Sequence, residues 1–281
     1  MADNFCYFNG KVVRFGEIKI SPFDLGFVRG YGIFDAMRTA NGSLFCFSEH
    51  WKKFQSSAQE LNLKIPVNEV EFGEIIKILL EKNNFKEMAV KTVLTGGVSK
   101  NGFVKEGKET FLIIVDDLDN FILAPEVYRN GAKIISREYA RPHPEMKNLN
   151  YLFPLSIQKE KNQKEALEIV YKSKGKILEC SSSNIFMVKD GVIITAKNNI
   201  FKGTTRNLVL ELAKKNNFKV EERDIEEEEF YLADEIFLTA TYKKIVPVVR
   251  VDERMIGGEQ IGPVIRKMME ILNNFIETYK E

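Results

Sequence analysis

Hydrophobic and polar positions follow two periods along this chain. FCYF and KVVRF have strand patterning and flank Asn9-Gly10, a pair that accepts the positive φ values of a tight two-residue turn. A second hairpin is predicted for GIFDAMRT, Asn41-Gly42 and SLFCF. Helical spacing then takes over at Trp51, Phe54, Ala58 and Leu61, behind Ser48 as cap. Asn68 and Glu71 have the pattern of a capping box before FGEIIKILLEK, whose apolar positions 72, 75, 76, 79 and 80 make one buried face. MAVKTVLTGG and TFLIIVDD return to strand patterning. Together these elements predict a compact α+β half that ends near residue 117.

The stretch DLDNFILAPEVYRNG has early Asp and Asn and a later Pro125, which reads as a linker. The expected domains are therefore a small N-terminal α/β domain over 1–117, a linker over 118–130, and a larger C-terminal domain over 131–281. The second half is predicted to contain strand AKIISRE, a loop with Lys147, a helix around 151–161, and strands EALEIVYK and NIFMVK. An Asp190-Gly191 hairpin leads into VIITA. A helix follows from Thr204, then strands FKVEER, DEIFLTA and IVPVVRV. A last helix over 261–280 has an apolar stripe through Ile261, Ile265, Met268, Leu272 and Phe275.

Composition narrows the class. The chain has 281 residues, 44% hydrophobic and 29% charged, as in an ordinary globular protein of one large or two medium domains. Its 41 basic and 40 acidic side chains leave no long-range field that would draw it to nucleic acid or a membrane. No apolar run approaches the ~20 residues of a bilayer span. MADNFCYFNG lacks the basic and apolar regions of a secretory signal. Cys6, Cys46 and Cys180 are scattered, without metal or CxxC spacing. They read as buried fillers in a reducing cytoplasm, with no metal site expected.

The candidate chemistry starts at Lys147, in MKNLNYLFPL, followed later by Glu179 in GKILECSSSNIFMV. Pyridoxal 5′-phosphate is an aldehyde on a pyridine ring with a phosphate arm. A protein that uses it needs a lysine for the aldehyde, an acid to keep the ring nitrogen protonated, and amides or hydroxyls for the phosphate. Lys147 can fill the first role and Glu179 the second. Gly203, Thr204 and Thr205 can fill the third, since they open a helix whose N-terminal amides face an anion. Each also has a plain reading: a surface lysine, a strand-edge acid, a turn with a helix cap.

In this order and spacing, the motifs resemble the class IV aminotransferases, the fold-type IV pyridoxal-phosphate enzymes. The resemblance runs from FNGKVV to IGPVIRKM. It implies a two-domain α+β architecture with a barrel-like larger domain, pyridoxal 5′-phosphate as cofactor, and a homodimer. Lys147, with Asn150 after it, matches the family's Schiff-base lysine. Glu179, before Asn184 and Phe186, matches the pyridine-nitrogen partner. Gly203-Thr204-Thr205-Arg206 aligns with the phosphate-binding helix start, and Thr241 would reach the phosphate. Tyr151 sits where many members place a tyrosine near the cofactor's phenolic oxygen. Lys53, in HWKKF, stands where the family has a phosphate arginine, and it offers a point charge in place of a bidentate fork.

The substrate half rests on Arg29 in RGYGIFD, whose guanidinium can grip an α-carboxylate with two parallel hydrogen bonds. Its plain reading is an ion pair with Asp24 or Asp35. This segment and LTGGVSKNGFV resemble an atypical group of D-amino-acid transaminases, with Lys100 adding charge in the loop. Where that group has a second arginine, this chain has Ser182. The expected function is a transaminase acting on an amino acid, D-series favoured, and a 2-keto acid. The alternatives are a branched-chain L-amino-acid aminotransferase, an aminodeoxychorismate lyase, and a cofactor-free binding protein of the same fold.

Overall fold

The computed structural model describes residues 3–280. The chain divides into two compact units. The first is Met1–Phe121 with Met146–Asn150 and Tyr279–Glu281, and the second is Ile122–Glu145 with Tyr151–Thr278. Lys147, expected in the C-terminal domain, therefore belongs with the first unit.

The first unit contains strands β1 (Phe5–Phe8) and β2 (Lys11–Arg14), helix α1 (Leu25–Arg29), strands β3 (Gly32–Ala40) and β4 (Ser43–Leu44), helices α2 (Phe47–Glu60) and α3 (Glu69–Asn83), and strands β5 (Met88–Thr95) and β6 (Thr110–Asp117). The strands form one antiparallel sheet in the order β2-β1-β6-β5-β3-β4. Both expected hairpins form, with Asn9 and Gly10 at φ 46° and 91° and Asn41 and Gly42 at 54° and 80°. The second is shorter than its pattern, because β4 stops at Leu44 and Phe47 already starts α2. Ser48 is consequently inside the first turn of α2. The N-cap is Cys46, at φ 53°, without a side-chain cap.

The α3 start agrees with the sequence: the Asn68 side chain accepts from the Glu71 amide at 3.0 Å, and Glu71 accepts from the Asn68 amide at 2.8 Å. Its Phe72, Ile75, Ile76 and Leu79 join Trp51 and Phe54 of α2 and Ile33, Met37, Val90 and Leu94 of the sheet in one core. Met146–Asn150 lies along β3. The Phe34 amide donates to the Lys147 carbonyl at 2.9 Å, and the Leu149 amide donates to the Gly32 carbonyl at 3.1 Å. This approach needs glycine at 32, where a Cβ would come within 2.7 Å of the Leu94 carbonyl and 2.8 Å of the Leu149 side chain.

The second unit contains α4 (Pro125–Asn130), β7 (Ala132–Glu138), α5 (Leu152–Ser156), α6 (Gln158–Gln163), β8 (Glu168–Ser173), β9 (Lys176–Cys180), β10 (Asn184–Lys189), β11 (Val192–Thr195), α7 (Thr204–Lys215), β12 (Lys219–Glu222), β13 (Ile225–Glu226), α8 (Glu227–Tyr231), β14 (Glu235–Ala240), β15 (Lys244–Val251), β16 (Arg254–Met255) and α9 (Pro263–Glu277). The sheet order is β12-β11-β10-β14-β15-β7-β8-β9-β13, with β16 against β15. The segment expected as a linker carries helix α4, with Pro125 at its first turn. The helix expected around 151–161 is broken at Ile157 into α5 and α6.

The sheet core is Ile134, Ile169, Ile177, Ile185, Met187, Ile236, Leu238 and Val246 with their neighbours. Phe186 and Phe237 are cross-strand partners with stacked rings, centroids 4.8 Å apart. Helices α7 and α9 pack on β14, and α9 buries Ile265, Met268, Leu272 and Ile276. The mixed α+β class is the expected one.

Substituting Asn68 with Ala removes a cap acceptor. It is expected to lower stability by about 1 kcal/mol, read as a lower denaturant midpoint at unchanged slope.

Candidate active site

In the second unit, Glu179 is 5% exposed near the end of β9. A carboxylate buried this far needs donors. Its Oε1 accepts from Arg141 Nε at 3.1 Å and Nη2 at 2.9 Å, and its Oε2 accepts from the Phe201 amide at 3.0 Å. Arg141 Nη2 also donates to the Pro144 carbonyl at 2.8 Å. The sequence reading did not single out Arg141; the available signal was a cation six positions before Lys147. Tyr151 lies in the same field. Burial pushes its phenol above the ordinary value, Arg141 opposes this, and Glu179 and Glu168 add to it.

The loop that feeds α7 is tied to β10. Asn184 Nδ2 donates to the Phe201 carbonyl at 2.6 Å, and the Gly203 amide donates to Asn184 Oδ1 at 3.1 Å. A Cβ on Gly203 would come within 2.5 Å of that Oδ1, so glycine is required at this contact. Gly203 is also the N-cap, so α7 starts without a side-chain cap, with Thr204 and Thr205 buried in its first turn. Helix α9 also starts from a glycine, Gly262, but the Val264 and Ile265 amides donate to buried Glu235 at 3.0 and 2.8 Å.

Arg206 points away from this helix start. Its Nη2 donates to the Ala196 carbonyl at 2.9 Å and to Glu222 at 3.0 Å. Across from Asn184 on the neighbouring strand is Thr239, 2% exposed, whose hydroxyl has no hydrogen-bond partner. Thr241 follows β14 and opens the turn into β15, half-buried.

In the first unit, Lys147 is half-buried beside β3, with Nζ 5.1 Å from the Phe34 ring centroid. Lys91 Nζ lies 5.5 Å from the same centroid. Asp35, on β3, is 2% exposed and 2.6 Å from His50 Nδ1. Burial would raise its carboxyl, but the charge and hydrogen bond of His50, then Lys147 and the Ala36 amide, outweigh burial and hold it below the usual range. Lys53 is half-buried on α2.

Arg29 ends α1, exposed, with its guanidinium 4.6 Å from the Phe103 ring centroid. Neither aspartate of its plain reading pairs with it. Asp24 accepts from the Gly26 amide at 2.8 Å and from the Thr110 hydroxyl at 2.6 Å, and Asp35 holds His50. Lys100 is exposed on the same loop as Phe103, and its amide donates to Glu106 at 3.2 Å. The candidate residues therefore divide by unit: Lys147, Lys53, Arg29 and Lys100 in the first, Glu179, Tyr151, Gly203, Thr204, Thr205 and Thr241 in the second. Cys6, Cys46 and Cys180 are buried thiols, and burial pushes that of Cys180 well up.

Residues 32–251 match the family model of class IV amino-transferases. The chain belongs to this family, whose cofactor is pyridoxal 5′-phosphate, and is by that membership an aminotransferase. It is 32% identical over 274 residues to a "Putative branched-chain-amino-acid aminotransferase" of Methanocaldococcus jannaschii, covering 94% of this chain and 93% of the relative. It is 30% identical over 276 residues to a D-alanine aminotransferase of Listeria monocytogenes, covering 92% of each. Among solved structures, a putative branched-chain amino acid aminotransferase of Thermotoga maritima superposes with a TM-score of 0.82. The two are 26% identical, and the match covers 98% of this chain and 96% of that one.

The donor set of the second unit fits that cofactor's chemistry. An uncapped helix start at a required glycine suits a phosphate. The partnerless buried hydroxyl of Thr239 can accept or donate one more bond. Glu179 is a buried acceptor of the kind a protonated ring nitrogen needs. Among the described residues, no helix is long and apolar enough to cross a membrane.

Glu168, also in the second unit, is 2% exposed. Burial alone would raise its carboxyl, but the charge and hydrogen bond of Lys243 and the hydroxyls of Ser181 and Ser182 bring it down to about 2, against an ordinary 4.5. Because the folded value lies below the unfolded one, this carboxylate's stabilisation is complete above the unfolded value and is lost as pH falls through the folded one. Wild type is therefore expected to lose more stability than Glu168→Gln between about pH 5 and about pH 2. Denaturant melts across that range measure this, and parallel acid limbs would contradict it.

Proposed function

We propose that this chain is a pyridoxal-phosphate-dependent transaminase that moves an amino group between an amino acid, D-series favoured, and a 2-keto acid. The observation that carries the substrate half is Arg29. It is exposed, lies with its guanidinium 4.6 Å from the ring centroid of Phe103 in the 97–103 loop, and has neither Asp24 nor Asp35 as ion-pair partner. One Nη1 bond goes to the Val28 carbonyl at 3.1 Å, and a guanidinium over a ring face keeps its further N–H groups for a carboxylate. Lys100, on the same loop, adds positive charge for the same group.

When bound, the cofactor supplies an aldehyde for the amine and an electron-poor ring that takes up the electron pair left at the substrate's α-carbon. The chain's residues do the rest. Lys147 would be the amine that holds the aldehyde. As a free amine, Lys147 would be the base and acid that carries the proton at the reacting carbons. Glu179, held by Arg141 and the Phe201 amide, keeps the proton on the ring nitrogen. The first turn of α7 at Gly203, Thr204 and Thr205, with Thr241, would hold the phosphate, Lys53 would add a charge for it, and Tyr151 would serve the phenolic oxygen.

A second reading, a branched-chain L-amino-acid aminotransferase, has the names of the Methanocaldococcus relative and the Thermotoga structure in its favour. The homodimer is part of the proposal. Its support is the large apolar side chains left at the surface: Phe23, Phe27 and Phe103 in one unit, Leu152 and Leu155 in the other. Three thiols that form no disulfide support a reducing compartment.

With an amino donor and the cofactor's absorbance as readout, Lys147→Ala is expected to slow conversion to the pyridoxamine form at least ~100-fold. Conversion at the wild-type rate would remove Lys147 from its role. In wild type, a panel of L- and D-amino acids is expected to convert the cofactor faster with the D-series. Faster conversion with L-leucine or L-valine than with any D-amino acid would move the assignment to the branched-chain reading.

A further inference from the structure

The cluster around Glu168 takes no part in the chemistry above, although it joins two turns that do. Glu168 starts β8. It accepts from Ser181 Oγ, from Ser182 Oγ at 2.6 Å, from Ser183 Oγ at 2.8 Å, and from Lys243 Nζ. Lys243 Nζ also donates to Ser182 Oγ at 2.8 Å. The three serines form the turn between β9 and β10, directly after Glu179 and Cys180. Lys243 ends the turn between β14 and β15 that Thr241 opens. One buried carboxylate thus gathers donors from both turns.

Three of these donors, from Ser182, Ser183 and Lys243, converge on Oε1, and Ser181 takes Oε2. With both oxygens engaged by the protein's own donors, Glu168 is not an orphan acceptor awaiting a ligand. Nor is stability a sufficient reason for it, because a buried ion pair is often no more stabilising than apolar side chains of the same volume. What apolar side chains cannot do is fix two turns at a defined spacing through directed bonds.

We propose that Glu168 is a positioning residue for the cofactor: it ties the serine turn behind Glu179 to the Thr241–Lys243 turn, and so sets the ring-nitrogen partner relative to the phosphate hydroxyl. This rests on the cofactor roles proposed above for Glu179 and Thr241.

The test compares apoprotein of wild type, Glu168→Gln, Lys243→Met, the double variant and Ser182→Ala. Two quantities are measured: the thermal midpoint, and the dissociation constant for pyridoxal 5′-phosphate by equilibrium titration. Glu168→Gln and Lys243→Met are each expected to weaken binding at least ~10-fold. In the double variant both charges leave together, so the thermal midpoint recovers relative to Lys243→Met while binding stays at least ~10-fold weak. A purely structural role would restore binding along with the midpoint, and that result, or wild-type binding in both single variants, overturns the proposal. Should the charge variants fail to fold, Ser182→Ala decides. It removes one exposed hydroxyl from the tie and is expected to weaken binding a few-fold, and unchanged binding overturns the proposal. Wild type that takes up no cofactor would instead overturn the cofactor reading on which the proposal rests.

Discussion

A buried carboxylate has to be given its donors, and the donors that Glu179 takes organise the second unit around it. Arg141 approaches one oxygen twice, from the segment that follows β7. The Phe201 amide binds the other from the loop before α7. That loop is held a second time by Asn184, which lies on the strand following Glu179's own turn. The position of the acid and the start of α7 are thus set by one connected group of bonds. The proposed phosphate seat and ring-nitrogen partner need such a connection, because a cofactor with both ends recognised tolerates little drift between them.

The first unit solves a different problem. Lys147 comes from a segment of five residues that pairs with β3 through backbone bonds, made possible by glycine at position 32. Its flank is therefore tied by backbone bonds to the strand beside it. The buried Asp35–His50 pair fixes the same strand from inside the unit. Arg29, over the Phe103 ring, provides an exposed cation at the end of α1. Asp24 and Asp35 have other partners, so the ion pair with either that the sequence also allowed does not form.

How much of this was legible in the sequence follows from how local each interaction is. The Asn-Gly turns, the Asn68–Glu71 box and the start of α7 are decided within a few residues, and they stand where the pattern put them. Ser48 misled because Cys46 adopts the left-handed conformation and lets α2 begin earlier than a serine cap would. The break at Ile157 interrupts a run that helical spacing alone could not divide. In the site, Glu179 and Gly203 could be read because a family motif surrounds them. Arg141, Glu168, Lys243 and Thr239 could not, since each acts through a partner distant in sequence: Arg141 through Glu179, Lys243 through Glu168, and Thr239 beside Asn184. The Lys147 segment's pairing with Gly32–Phe34 is longer-range still, so the sequence reading assigned Lys147 to the half that follows it in the chain.

The central claim is that Lys147 is the amine that takes the cofactor's aldehyde. The most direct measurement is chemical. The protein is incubated with pyridoxal 5′-phosphate and reduced with borohydride, and the modified peptide is then located by mass spectrometry. The account predicts a single stoichiometric phosphopyridoxyl mass on Lys147. A stoichiometric label on another lysine, or a scatter of substoichiometric labels that spares Lys147, would contradict it.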